Sequence, residues 1–289
     1  MVLATNAQTQ TFKHMTIKSG FNQDVICEDK ANLQTTVSQF PNPDLQGIDG
    51  SGFVFFTTDV QENGAMCGPD GIFKSSRTGA TFKVDPTGLN ALVLKGTKTV
   101  NIDGNTVPIP GGVVSGTLEF ATPTKAKSIY VVGTSADGDS QIKVTINYTD
   151  GTTLEDNITM YNWDSKDAAA VQAAVVRNLG RLASKKNWAG EAGNIDAYGF
   201  QLFESAVNTD NTKTIKSVTV EETSDNRSAA IFAVSTSDDV VTDGIDTITA
   251  GEGKATYYTL DGVQVKEPVK GVNIVKMADG TTKKVIKNK

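Results

Sequence analysis

Histidine and cysteine are scarce in this chain of 289 residues. The single histidine, His14, argues against histidine acid–base catalysis and Ser-His-Asp triads, and it excludes a zinc site built from several histidines. The two cysteines, Cys27 and Cys67, form no CxxC motif, which argues against a structural zinc site. They leave two alternatives open, namely two buried free thiols or one disulfide in an exported protein.

Net positive charge and long apolar segments are also missing. The formal net charge is −6, and a mildly acidic protein is a poor candidate for binding nucleic acid or an anionic membrane. No apolar run reaches the length of a membrane-spanning helix, so we expect no transmembrane segment. The motifs of a phosphate-binding loop, a Rossmann fingerprint and a nucleophile elbow do not occur in the sequence.

The N-terminal segment MVLATNAQTQTF is not a complete signal peptide, because it lacks a basic start and a long apolar core. Its Ala4-Thr5-Asn6-Ala7 nevertheless resembles the end of a cleavage site. A trimmed form of an exported protein would look like this.

Alternating polar and apolar residues are the strongest pattern that is present. Between Ser128 and Met160 the sequence predicts three successive strands joined by two tight turns, with Ile142, Val144 and Ile146 on one buried face. Asp150-Gly151 suits a two-residue hairpin turn. Other short strands recur every 8–12 residues between Gly and Asp turns, and alternating helices are missing. We therefore predict an all-β fold, an antiparallel β-sandwich or jelly roll.

One alanine-rich segment, Ser165 to Lys186, departs from this pattern. Val171, Val175 and Leu179 recur at helical spacing, so we predict one inserted helix, interrupted near Gly180. Its basic residues are also regularly spaced, at Arg177, Arg181 and Lys185. Such a basic stripe is either a solvated face or a contact for a polyanion or an acidic sugar.

Composition divides the chain into three parts. Residues 1–240 form the predicted sandwich domain, residues 241–254 are an Asp-, Thr- and Gly-rich linker, and residues 255–289 form a small basic C-terminal β unit. Its predicted strands are Tyr257–Leu260, Val263–Lys266, Val272–Met277 and Lys283–Lys287.

The C-terminal unit resembles the sorting domains of secreted Bacteroidetes proteins. The residues that carry the resemblance are Tyr258, Leu260, Gly262, Val265, Pro268, Lys270, Gly271, Val272, Ile274, Val275, Gly280, Lys283, Lys284 and Val285. Asn273 departs from the pattern, since an aromatic residue is commoner there. The resemblance implies a signal read by the type IX secretion machinery and a location outside the bacterial cell or on its surface. An ordinary terminal hairpin unit is the alternative.

The larger domain resembles the galactose-binding-like jelly rolls of Bacteroidetes surface proteins. The segments on which this resemblance rests are SIYVVGTSADGDSQIKVTINYTDGTT, Asn162-Trp163-Asp164 and the late predicted strands TIKSVTVEET and SAAIFAVS. Many domains of that class bind glycans and others are structural spacers, so the resemblance implies a partner such as a glycan or cell-surface polysaccharide without deciding between these roles.

Aromatic residues near the predicted helix are the candidate ligand-binding residues. Sugar C–H faces pack on aromatic rings, and nearby polar groups bind the hydroxyls. The predicted binding residues are Tyr161, Trp163, Trp188, Tyr198 and Arg181. Both tryptophans lie outside periodic strand positions, which favours a binding role. Trp163 could instead be a core anchor at the end of a strand.

Carboxylates offer two further alternatives. Asp137 and Asp139 are the nearest approach to a calcium site, although hairpin turns explain most of the Asp-Gly pairs, and no other cofactor is expected. Glu204 with Glu191 and Asp196 could serve a hydrolase or lyase, but no spacing singles out a catalytic pair. We therefore expect an exported, non-catalytic module that binds carbohydrate or serves as an adhesive or scaffold piece, with a glycan-active hydrolase or lyase that uses carboxylates as the alternative.

Overall fold

The structure is a computed structural model that describes residues 11–33, 45–50, 52–96, 98–102, 105–109, 113–184, 191–239, 256–259, 264–265, 267–276 and 282–287. Trp188 and the predicted linker 241–254 lie outside the described residues. The chain consists of two compact units, Met1–Val240 and Val241–Lys289. In the part of the chain that is described, no helix is apolar over enough residues to cross a bilayer.

Short strands make up nearly all of the regular structure of the first unit. They are β1 Phe12–His14, β2 Ile17–Ser19, β3 Ile26–Cys27, β4 Phe53–Phe56, β5 Ile72–Lys74, β6 Thr81–Lys83, β7 Leu92–Lys95, β8 Lys98–Ile102, β9 Asn105–Ile109, β10 Ser115–Thr124, β11 Ser128–Ala136, β12 Ser140–Tyr148, β13 Thr153–Met160, β14 Ala174–Ala183, β15 Ile195–Asn208, β16 Ile215–Glu222 and β17 Ser228–Ser237. Among the residues that the structure describes, one turn of 3₁₀ helix, Lys30–Asn32, and one α-helix, α1 Ala168–Ala173, accompany them.

Two sheets form a sandwich, so the predicted fold class is confirmed. The larger sheet has the order β1-β17-β11-β15-β14-β4-β3, and β7 also pairs with β17. The smaller sheet has the order β13-β12-β16-β10-β2. All these pairings are antiparallel except that of β3 with β4. β8 pairs with β9 in a separate two-stranded sheet.

The main core lies between the two sheets. The smaller sheet contributes Ile142, Val144 and Ile146 from β12, which are all fully buried, as the alternating pattern predicted. The larger sheet contributes Ile129 from β11 and Phe203 from β15, also fully buried. Truncating one of these aliphatic side chains to alanine typically costs about 2–5 kcal/mol, because the removed contacts leave a cavity.

The three strands between Ser128 and Met160 exist, but they do not form one meander. β11 lies in the middle of the larger sheet, whereas β12 and β13 form a hairpin in the smaller one. The chain crosses between sheets at Asp137 and Gly138, both of which have positive φ. All nine residues of β11 are buried, because one face meets the core and the other is covered by the rest of the unit. That covering explains why β11 shows no polar face.

The predicted helix over Ser165–Lys186 is too long. Among the described residues of this segment, 165–184, only Ala168–Ala173 is helical, and Ala174–Ala183 form β14 between β15 and β4. Lys185 lies outside the described residues. The helical spacing of Val175 and Leu179 coincides with buried positions of an irregular strand, whose pairing with β15 shifts register four times. Asn178, with φ of 57°, also interrupts the regular alternation. The basic residues Arg177 and Arg181 therefore do not form a helical stripe.

The two cysteines are free thiols, and both are buried. Cys27 pairs with Phe56 on one edge of β4, and Cys67 pairs with Thr57 on the other edge. Two strand spacings separate their backbones by about 10 Å, which is more than the roughly 7 Å that a disulfide can span. Burial raises the pKa of each thiol to about 12. The free-thiol alternative is therefore the one that the structure supports.

The second unit contains one sheet of four strands, β18 Thr256–Thr259, β19 Gln264–Val265, β20 Gly271–Lys276 and β21 Thr282–Lys287, in the order β19-β18-β20-β21. Asn273, which departs from the sorting-domain pattern, is fully buried. Its Nδ2 donates to the carbonyls of Val269 (2.7 Å) and Gly271 (3.0 Å), and its Oδ1 accepts from the Val269 amide (2.9 Å). The side-chain amide of Asn273 thus closes the turn before β20 by these hydrogen bonds, which an aromatic side chain could not make.

Candidate functional site

Arg181 lies in a stack of aromatic rings on β14. Its Cζ is 4.2 Å from the centroid of the Trp163 ring and 4.1 Å from that of Phe200. Phe200 comes from the neighbouring strand β15, and Trp163 is held by its amide, which donates to the Ser135 carbonyl at 2.9 Å. The centroids of these two rings are 5.1 Å apart, so the rings lie on adjacent sides of the guanidinium, and such desolvated cation–π contacts contribute about 2 kcal/mol.

Two carboxylates neutralise this arginine. Its Nη1 is 3.5 Å from Asp49 Oδ2, and its Nη2 is 2.5 Å from Asp196 Oδ2. The side chain is only 13% exposed. Because two carboxylates neutralise its charge and two aromatic rings already contact it, Arg181 serves here to join β14, β15 and the Asp49 loop.

Trp163 takes the core-anchor role that the sequence left open. It is 7% exposed and packs edge-on against Phe55 (centroids 6.2 Å apart) and Phe200 (5.1 Å). Tyr161 is half-buried and packs edge-on against Phe203 at 5.5 Å, next to the main core. Neither ring offers an open face of the size that a sugar covers.

Tyr198 differs from these residues because 42% of its surface is exposed. A Cβ added to Gly64 would lie 2.7 Å from Tyr198 Cε1, and one added to Gly180 would lie 3.0 Å from the same atom. The tyrosine ring therefore rests directly on the backbone of two glycines. Gln61 Nε2 donates a hydrogen bond of 2.8 Å to the Tyr198 hydroxyl. We call these four residues the Tyr198 platform.

The platform and the arginine stack lie on opposite faces of the larger sheet. Gly180 and Arg181 are consecutive residues of β14, and their partners on β15 are Tyr198 and Ala197. Successive side chains of a strand point to opposite faces. The Tyr198 ring occupies the side to which a Gly180 side chain would point. The structure thus brings Arg181 and Trp163 together but separates both from Tyr198.

Glu204 and Asp196, two of the three carboxylates considered for hydrolysis, do not face each other. Glu204 is 1% exposed and accepts a hydrogen bond of 3.0 Å from the Thr78 hydroxyl. Burial raises the pKa of Glu204, although the Thr78 and Ser75 hydroxyls and the Arg77 charge act in the opposite direction. Asp196 belongs to the Arg181 cluster and lies about 27 Å away along β15. Glycosidase carboxylates lie roughly 5–10 Å apart, so this pair does not support hydrolysis.

The calcium alternative finds no donor set in the part of the chain that the structure describes. No group of three His, Cys, Asp or Glu side chains there could hold a metal ion. Asp139 instead accepts a hydrogen bond from the Asn162 amide at 2.8 Å, which fixes the turn after the crossing between the sheets.

Comparisons with known proteins add little to this picture. No protein-family model and no curated protein matches the chain. Among solved structures, a single-residue mutant of a family 29 carbohydrate-binding module aligns at 12% identity, over 61% of this chain and 96% of that chain, with a TM-score of 0.28. A second mutant, complexed with mannohexaose, aligns at 12% identity over 61% and 94%, with a TM-score of 0.25. We therefore argue the function from the residues of this chain.

Gln61 and Gly64 are the platform residues that sequence reasoning missed. They belong to a Gly- and Pro-rich loop that reads as an ordinary turn region, and more than 130 residues separate them from Tyr198. The sequence offered two hints of the platform, namely the polar loop at residues 61–64 and a glycine, Gly180, in the segment that forms β14. Neither could be joined to Tyr198 without the pairing of β14 with β15.

Proposed function

We propose that residues 1–240 form an exported, non-catalytic carbohydrate-binding module whose ligand packs on Tyr198. The observation that carries this proposal is the exposed tyrosine ring held on two glycines and oriented by Gln61. The side chain is already fixed, so binding would cost little further conformational entropy. Sugar rings pack their C–H faces on such aromatic surfaces.

Polar groups next to the ring suit the sugar hydroxyls. Glu62 and Asn63 are exposed and belong to the same loop as Gln61. With Gln61, they provide a carboxylate and two amides as donors and acceptors in the loop that contacts the Tyr198 hydroxyl. This combination of a rigid apolar surface with a polar rim favours carbohydrate binding over an adhesive contact between two apolar protein surfaces.

We further propose that the second unit directs the chain outside the cell. Its four-stranded sheet and the residues of the sorting-domain pattern support a signal read by the secretion machinery. The natural location would then be the medium or the surface of a bacterial cell, where polysaccharide is the ligand that the module meets.

A glycan array tests the proposal. The unsubstituted chain should bind at least one neutral polysaccharide, and Tyr198→Ala should weaken that binding about tenfold, which corresponds to roughly 1.4 kcal/mol of lost stacking. Tyr198→Phe keeps the ring and should retain most of the affinity.

Ile72→Ala is the matched control, since Ile72 is a large apolar residue with the same 42% exposure away from the platform. Thermal melting of each variant checks the fold. Equal binding by Tyr198→Ala and Ile72→Ala, or no glycan bound by the unsubstituted chain, would contradict the proposal.

A further inference from the structure

A second concave feature of the first unit takes no part in the Tyr198 platform. It is a groove of about 490 Å³ between the β2 segment and the loop that follows β6. The residues that line it are Thr16, Ile17, Lys18, Ser19, Gly20, Phe21, Lys83, Asp85, Thr87 and Leu89. Its volume falls within the range of pockets that hold small ligands or a few sugar units.

Both walls of this groove are fixed by the backbone. On the β2 side, Gly20 has φ of 120°, and a Cβ there would lie 2.0 Å from the Thr117 carbonyl oxygen of β10. Only glycine allows the chain to turn this close to its neighbouring strand. Replacing Gly20 by any other residue would therefore displace the backbone that forms the groove wall next to Phe21.

The opposite wall is held by the fully buried Asn90. Its Nδ2 donates to the carbonyls of Pro86 (3.3 Å) and Gly88 (3.1 Å), and its Oδ1 accepts from the Val25 amide at 2.8 Å. Asp85 Oδ1 accepts from the Thr87 amide at 3.0 Å and closes a local turn. The groove is thus formed before any ligand arrives.

Charge and apolar surface occur together in the groove. Lys18 and Lys83 are exposed, and among the residues that the structure describes neither ammonium group has a carboxylate within 4.0 Å. With Asp85, the lining carries a net charge of about +1 on a protein whose net charge is −6. Leu89 is 54% exposed and Phe21 half-buried, so the lining also offers apolar contact.

We infer that this groove binds a sugar unit that carries a negative charge, with the lysine ammonium groups on its anion and the apolar residues on its ring. The inference rests on the proposed glycan-binding function and adds a class of ligand to it. An acidic unit of a polysaccharide would occupy the groove while other units meet separate surfaces such as the Tyr198 platform. The shared chemistry is a carboxylate or a sulfate ester on a sugar.

Calorimetric titration of the full chain with a galacturonic acid oligosaccharide tests this inference. The double variant Lys18→Gln/Lys83→Gln should bind about fivefold more weakly, because two exposed ion pairs are lost. Raising the salt from about 0.05 M to about 0.5 M should weaken binding to the unsubstituted chain and leave the variant nearly unchanged. A sulfated galactose oligosaccharide, run in parallel, distinguishes sulfate from carboxylate as the preferred anion.

Lys125→Gln/Lys166→Gln is the matched control, since both lysines are exposed, lie outside the groove and change the net charge equally. The inference is overturned if this control weakens binding as much as the groove variant does, or if the methyl-esterified oligosaccharide binds as well as the acid. Loss of neutral-glycan binding in Tyr198→Ala, together with unchanged acid binding in the groove variant, overturns the groove alone. Unchanged neutral-glycan binding in Tyr198→Ala, together with weaker acid binding in the groove variant, overturns the platform alone.

Discussion

Glu204 is a carboxylate that the fold keeps away from water. Its pKa is raised by burial, so the folded state holds the proton more tightly than the unfolded chain does. The stabilisation is therefore complete at acid pH and is lost as the pH rises through the folded-state pKa. The ionised form is a buried negative charge, and Arg77 Nη1 lies 3.9 Å from its Oε1.

Glu204→Gln should consequently stabilise the protein by about 1 kcal/mol at pH 7, because the amide keeps an acceptor for Thr78 and removes the buried charge. The gain should shrink towards pH 4. Urea unfolding at several pH values measures it, with Glu155→Gln as the control because Glu155 is 59% exposed. A loss of stability in Glu204→Gln at pH 7 would show that the ionised form is needed.

Residue type alone separated the aromatic side chains poorly. Trp163 and Tyr198 both lie near irregular sequence, and both were candidates for sugar binding. The first is a ring against which an arginine packs, and the second an exposed ring supported by glycines. The difference depends on Gly64 and Arg181, whose positions follow from strand pairing that no local pattern contains.

At the scale of elements, β3 and β4 with the segment around Cys67 isolate the two thiols from each other and from water. Because the pKa of each thiol is raised from 9.0 to about 12, the thiolate is disfavoured in the folded state. The thiols should therefore leave a disulfide-exchange reagent unreacted at pH 8 and both react in urea. Stability should fall as the pH rises from 9 towards 12, since only the unfolded chain then ionises freely.

Reaction of one thiol in the native protein at pH 8 would contradict this account of the strand arrangement. The Cys27→Ala and Cys67→Ala variants, titrated separately in urea, assign each reacting group.

The secondary structure of strands with one solvent-exposed face was predictable from the sequence, and that of strands buried on both faces was not. β12 alternates cleanly because one face meets the core and the other meets water. β14 lies between two strands, contains bulges and is buried at six of its ten positions, so its valines and leucine resembled a helical stripe. Because the alanines of α1 directly precede these residues, the two segments together were predicted as one long helix.

At the scale of the whole molecule, the main core between the sheets, as far as the described residues form it, runs from Met15 to Val234. Deleting Val241–Lys289 should therefore leave the melting temperature of the first unit within about 2 °C of its value in the full chain. In the native host the same deletion should abolish export. Unfolding of the shortened chain would show that the second unit belongs to the fold, and unchanged export would contradict the sorting role.

The sandwich class and the strands of the second unit followed from turn spacing and alternation. The sheet order did not, because consecutive strands such as β11 and β12 belong to different sheets and only the crossing at Asp137–Gly138 tells them apart. For the same reason the Tyr198 platform, assembled from a loop and two strands distant in sequence, was only partly foreseen.

The most direct test of the central claim is a crystal structure of the chain with the neutral oligosaccharide that binds most tightly on the array. We predict a sugar ring packed on the exposed side of Tyr198, with hydroxyls bound by the loop that contains Gln61. A sugar bound elsewhere, with Tyr198 uncovered, would contradict it.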